Sequence, residues 1–107
     1  MLTTEQRLSM LRSPSGKVDM VLDTDAYNEI DDQFAIAYTL TATEKLYLKA
    51  IYAAPFHNRR STSPKDGMEK SYAEIFQLLT LAEREYPVFR GAEAYLSDEQ
   101  TPALSPA

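Results

Sequence analysis

The stretch from Val18 to Leu40 decides the fold. Val18-Asp19-Met20-Val21-Leu22 is nearly continuous in apolar residues and closes on Asp23. Asp23-Thr24-Asp25-Ala26-Tyr27-Asn28-Glu29-Ile30-Asp31-Asp32 is a compact acidic turn. Gln33 to Leu40 then places Phe34 with Tyr38, and Ile36 with Leu40, at four-residue spacing. A short apolar run bounded by a turn reads as a buried parallel strand. The spacing predicts a mostly buried helix from Asp31 to about Ala42, with Asp31 and Asp32 in the first turn, where the helix dipole favours negative charge.

Working outward, Thr3 and Gln6 form a capping-box pair for a short first helix, with Leu8 and Leu11 on one side. The composition of Ser13-Pro14-Ser15-Gly16 ends it in a loop. Leu46 to Ala54 reads as a second strand, rich in Tyr and Ile and stopped at Pro55. A polar loop containing His57, Asn58, Arg59 and Arg60 follows. Met68, Tyr72, Ile75, Phe76, Leu79 and Ala82 then recur at helical spacing, which predicts a helix whose stripe is core, with Asp66 and Glu69 as a capping pair. Pro87 to Gly91 is a third short strand, and no periodicity follows Leu96.

Strand, helix, strand, helix, strand implies right-handed crossovers and an open parallel sheet with helices on its faces. The expected fold class is α/β, a Rossmann-like β-α-β-α-β partial domain. Residues 1–17 form its leading helix and loop, and 97–107 an irregular tail. Ligands of such sheets gather at the carboxyl ends of the strands. Two loops meet there: the acidic turn after the first strand, and His57 with Asn58 after the second.

The chain has 107 residues, 44% of them hydrophobic, enough for one modest core and not for two domains. A formal charge of −5 without any basic block argues against nucleic acid or an anionic membrane as partner. No apolar run approaches the ~20 residues of a membrane span, and no signal-peptide core precedes residue 12, so a cytoplasmic location is expected. With no cysteine and a single histidine, any metal must be held by oxygen.

The acidic turn places four aspartates and Glu29 within ten residues, with no Lys or Arg among them. Two like charges ~5 Å apart repel by about 3 kcal/mol at an effective dielectric of 20. Either some of them protonate or a cation sits there. Hard oxygens on an irregular turn suit Ca²⁺, with Mg²⁺ as the alternative. The plainer reading is that Asp31 and Asp32 cap the helix while Asp23 and Asp25 bond loop amides. An EF-hand is excluded, because Asn28 and Phe34 stand where its loop needs Gly and Glu. A strand followed by Asp-x-Asp also permits an aspartyl-phosphate phosphatase with Asp23 as nucleophile and Asp25 as acid/base, although Tyr27 replaces that class's small hydroxyl residue.

Val21-Leu22-Asp23-Thr24-Asp25 followed by Asp31-Asp32 and a buried helix resembles the opening signature of inosine/uridine-preferring nucleoside hydrolases. Ala50-Ile51-Tyr52-Ala53-Ala54 with Asn58 beyond it, the helix from Asp66 to Glu85, and Pro87-Val88-Phe89-Arg90-Gly91-Ala92 line up in order. The resemblance implies a Ca²⁺-dependent enzyme that cleaves the N-glycosidic bond of a ribonucleoside. It implies Asp25 as metal ligand and general base and Asp32 as a second ligand. Asp31 would accept hydrogen bonds from the ribose hydroxyls, Asn58 would assist at the sugar, and Asp23 would brace the loop. The family's usual spacing before the Asp pair is two residues shorter, which leaves the roles of Asp31 and Asp32 interchangeable and gives Tyr27, Asn28 and Glu29 access to the site. The family also uses a longer chain, so these residues read as an amino-terminal portion with little turnover alone.

His57 reads either as a solvated loop residue or as an acid at the sugar, and Tyr27 either as loop-edge packing or as a base-stacking ring. Arg59 and Arg60 are expected in water. Three parallel strands make a thin sheet with open edges, so a homo-oligomer is expected. A non-enzymatic interaction module that oligomerises through those edges is the remaining alternative.

Overall fold

The structure is a computed structural model describing residues 1–98, 101, 102 and 104–107. Its elements in chain order are α1 (Thr4–Met10), β1 (Val18–Thr24), α2 (Ile30–Thr41), β2 (Leu46–Ala53), α3 (Pro64–Leu81) and β3 (Val88–Arg90). The three strands form one parallel sheet in the order β1-β2-β3. This is the α/β arrangement expected from the sequence.

Two of the flanking helices, α2 and α3, share one face of the sheet. Each connection moves the chain one strand in the same direction, so connections of one hand place α2 and α3 on the same face. Ile36 and Leu40 of α2, Leu48, Ile51 and Ala53 of β2, and Met68, Ile75 and Leu79 of α3 accordingly form one buried cluster. The opposite face of the sheet carries Val21, Tyr47 and Phe89, all exposed. There Lys49 pairs with Asp19 at 3.4 Å and lies over the Tyr47 ring, and Tyr52 meets Phe89 edge-on. The first strand therefore alternates between inward and outward residues rather than being buried on both sides.

β2 hides an irregularity in its apolar run. The register passes from Met20↔Leu48 to Val21↔Ala50, so Lys49 is an extra residue. Strict alternation would send Leu48 and Ile51 to opposite faces; the bulge lets both point inward, 5% and 0% exposed.

Local sequence sets the helix ends. Thr3 and Gln6 make both capping-box bonds of α1, though no α1 residue is buried. α3 begins earlier than the expected Asp66 and Glu69 pair: Ser63 is its N-cap and accepts from the Asp66 amide, while Pro64 supplies a pre-set first position. It ends at Leu81, four residues before Glu85, where Glu83 takes a positive φ of 53°. Gly67 is required by packing, because a Cβ there would fall on the Phe56 carbonyl oxygen.

Two core expectations need correction. In α2 only Ile36, Thr39 and Leu40 are buried, while Phe34 and Tyr38 are 68% and 70% exposed and continue outward from Ile30. A single sheet face gives α2 one side to bury, and Ile36 and Leu40 occupy it. In α3, Met68, Ile75 and Leu79 are core, whereas Phe76 is exposed and Ala82 lies past the helix end. The described residues after Arg90 form no helix or strand, and the Ala107 amide donates to the Arg90 carbonyl at 3.1 Å. The expected irregular tail lies outside the described residues at Glu99, Gln100 and Ala103. No helix among the described residues is long and apolar enough to cross a membrane.

Candidate functional site

The acidic turn sits at the carboxyl end of β1 and is held there by buried anchors. Thr24, the last strand residue, is 4% exposed, and its carbonyl accepts from the Ala54 amide at the end of β2. Ala26 is fully buried. The Tyr27 amide donates to the hydroxyl of Ser71, a fully buried residue of α3, and Gln33 donates to Glu74 at 2.9 Å. Strand and both helices thus fix the turn's backbone, which limits how far its carboxylates can separate.

Asp25 and Asp32 come together. Asp32 is half-buried in the first turn of α2 and accepts from the Thr24 hydroxyl at 2.5 Å. Its pKa is raised above the usual carboxylate range, first by burial, against which the Thr24 hydrogen bond works. The nearby Asp25 side chain, chiefly through its charge, and the charge of Asp31 raise it further. Negative charge gathered around a half-buried carboxyl favours its protonated form, or a cation beside it. None of Asp23, Asp25, Asp31 and Asp32 forms an ion pair among the described residues, so no basic side chain neutralises the pair.

The other expected residues divide. Asn58 joins the site: its Nδ2 donates to Asn28 Oδ1 at 2.6 Å, and Asn28 Nδ2 donates in turn to Asp25 Oδ2 at 2.9 Å. Asp31 is exposed and acts on Asp32 through charge. Asp23 is exposed on the open side of the sheet, in register with Tyr52, and does not enter the polar cluster around Asp25. His57 is exposed, as are Arg59 and Arg60. Tyr27 is 42% exposed, with the Lys70 ammonium 5.9 Å from its ring centre.

The turn's acids are not spent on capping. The N-cap of α2 is Glu29, which makes no side-chain capping bond, and Asp25 and Asp32 accept from the side chains of Asn28 and Thr24. Two contributors, Thr24 and Ser71, lay outside the sequence reading of site roles, and Asn28 was named only as one of three loop residues with access to the site. Thr24 was visible only as a spacer between two aspartates, and Ser71 as a small residue within a helix. The roles of Thr24, Asn28 and Ser71 depend on contacts spanning 8, 30 and 44 residues, which no local pattern announces.

A hard dication would find two adjacent carboxylates here, and a Ca²⁺ shell takes about 6–8 oxygens. Among the described residues no group of three or more His, Cys, Asp or Glu side chains is placed to hold a metal. Asp25 and Asp32 alone do not make such a shell; water and further ligands would have to complete it. No family model matches the chain, and no curated protein or solved structure matches it either.

Proposed function

We propose that this chain is the amino-terminal part of a nucleoside hydrolase, contributing Asp25 and Asp32 to a Ca²⁺-dependent site that cleaves the N-glycosidic bond of a ribonucleoside. The carrying observation is the clustering of Asp25, Asp31 and Asp32 at the carboxyl end of β1, where the two neighbours raise the Asp32 pKa and none of the three has an ion pair among the described residues. The sequence resemblance assigns metal-binding roles to Asp25 and Asp32. Their meeting place is also where open parallel sheets receive ligands.

In this reading Asp25 takes the proton of the attacking water as the water oxygen bonds to the anomeric carbon. The glycosidic C–N bond breaks, and its electron pair leaves with the base. Asp32 stays ionised beside Asp25 and, with the exposed Asp31, provides negative charge toward an oxocarbenium-like sugar. Asn58, tethered through Asn28, presents polar groups from the second loop at the sugar, and exposed His57 is free to approach from the same loop. The cation, Ca²⁺ or in second place Mg²⁺, would lower the pKa of its water and hold the ribose diol. A leaving-group acid and the remaining ligands belong to further chain, so little turnover is expected from these residues alone. The exposed, unbonded Asp23 gives no support to phosphoryl transfer through that residue.

The open sheet face, with Val21, Tyr47 and Phe89, and the outward Ile30, Phe34 and Tyr38 of α2 support an assembled state, with a homo-oligomer as the reading's expectation. A cytoplasmic location accords with the absence of cysteine.

The test is an amide-resonance titration with inosine in saturating Ca²⁺. Shifts confined to Thr24–Asp32 and Asn58, absent with 2′,3′-dideoxyinosine and absent without Ca²⁺, are the expected result. Equal responses to both nucleosides, or no response in that segment, would overturn the reading.

A further inference from the structure

Asn28 uses both ends of its side-chain amide. Nδ2 donates to Asp25 Oδ2 at 2.9 Å, and Oδ1 accepts from Asn58 Nδ2 at 2.6 Å. Its backbone amide also closes the turn on the Asp25 carbonyl at 2.7 Å. Asn58 continues the chain of bonds: its Oδ1 accepts from the Arg60 amide at 2.9 Å, and its own amide donates to Ser61 Oγ at 3.2 Å. Ser61 is 7% exposed and its hydroxyl donates to the Phe56 carbonyl, so this end is fixed in the β2–α3 loop. At the other end Asp25 follows directly on Thr24, which is buried at the end of β1.

The polarity of this chain admits one arrangement. Asp25 Oδ2 accepts from the NH₂ of Asn28, and the Asn28 oxygen is left for Asn58. Asn58 must then offer its own NH₂ to Asn28 and its oxygen to the Arg60 amide, as observed. Residue 28 therefore has to donate on one side and accept on the other. A carboxylate supplies only the second function, and an alkyl group neither. Asn28 stands in the two-residue longer part of the turn, between Asp25 and the Asp pair.

We propose that Asn28 is a positioning residue, an amide clip that fixes the Asp25 side-chain rotamer and joins the β1–α2 turn to the β2–α3 loop as one unit. Through the clip the β1–α2 turn reaches Asn58, with which the Asp25 side chain forms no hydrogen bond of its own. What Asp25 is held ready for rests on the proposed cation site, but the clip does not.

Three variants separate the bonds. Asn28→Ala removes both, Asn28→Asp keeps an acceptor for Asn58 while losing the donor to Asp25, and Asn58→Ala removes only the far anchor. The primary readout, at one fixed pH without metal, is the set of three-bond couplings that report χ1 of Asp25, with the amide spectrum of the sheet and α3 as a check on folding. Couplings of one staggered rotamer are expected for the native chain and averaged values for Asn28→Ala and Asn28→Asp. Asn58→Ala should fall between them. Native couplings at Asp25 in folded Asn28→Ala would overturn the clip. Ca²⁺ calorimetry on the same proteins should show affinity about tenfold weaker in Asn28→Ala. Failure of the native chain to bind Ca²⁺ would count against the hydrolase reading, while the couplings still decide the clip.

Discussion

The Thr24 hydroxyl donates to the Asp32 carboxylate across the β1–α2 turn, joining the last residue of the strand to the first turn of the helix. Thr24 faces inward on the side of the sheet where the helices pack, so the bond forms at the edge of the core. It is also the main influence opposing the effect of burial on Asp32.

Replacing Thr24 by Val keeps the shape and removes the donor. A hydrogen bond to a charged group contributes about 1.5–3 kcal/mol, and partial exposure of Asp32 reduces that. Thr24→Val is expected to lose about 1 kcal/mol of stability at neutral pH by urea denaturation. The loss should shrink once acid protonates Asp32, and a loss that does not change with pH would contradict the geometry.

The raised pKa of Asp32 fixes a sign. Its folded-state value lies above the unfolded one, so the folded state binds the proton more readily between the two. Asp32's contribution to stability is therefore fully present below the unfolded pKa and is lost as pH rises through the folded pKa. Asp32→Asn should remove this segment of the pH–stability curve and leave the variant more stable than the native chain at pH 7 without metal. Asp66 acts in the opposite direction: its pKa is lowered first by the Lys70 hydrogen bond, so its stabilisation is lost as pH falls through its folded value. Thermal melts across pH 3 to 7 in chelator would show both signs: stability should rise more steeply with pH in Asp32→Asn than in the native chain, and a shallower rise in the variant would contradict the assignment.

Gly67 tests how α3 approaches the loop after β2. Alanine would gain up to about 1 kcal/mol of helix propensity at an unconstrained interior position. Here its Cβ meets the Phe56 carbonyl oxygen, and backbone must shift. A net loss of about 2 kcal/mol is expected for Gly67→Ala. A gain in stability would show that α3 sits further from Phe56.

Phe34 and Ile36 test the orientation of α2. Ile36 is 1% exposed, and Ile36→Ala should cost about 2–5 kcal/mol. Phe34 is 68% exposed, and Phe34→Ser should change monomer stability by no more than about 0.5 kcal/mol. Equal costs would place Phe34 in a core that includes a partner.

Much of the fold was legible from periodicity and punctuation. The β1 run, the Thr3–Gln6 capping box, the Pro55 stop and the α3 stripe each act locally and locate their elements to within a few residues. Which side of α2 is buried was not legible, because both Phe34–Tyr38 and Ile36–Leu40 satisfy helical spacing. The choice is made by a sheet that covers one side only. The bulge at Lys49 was hidden because Leu46 to Ala54 is apolar almost throughout. At the site, the aspartates announced themselves by density, but their sorting did not. Thr24 and Asn28 select Asp32 and Asp25 through contacts formed after the chain folds, and Asp23 is turned away by the alternation of β1.

The most direct test of the central proposal is calorimetric titration of Ca²⁺ into the native chain, Asp25→Asn and Asp32→Asn at pH 7. Weak, saturable binding to the native chain, abolished in both variants, is the expected result. Absence of binding by the native chain at millimolar Ca²⁺, or unaltered binding in both variants, would contradict the claim that Asp25 and Asp32 meet in order to share a cation.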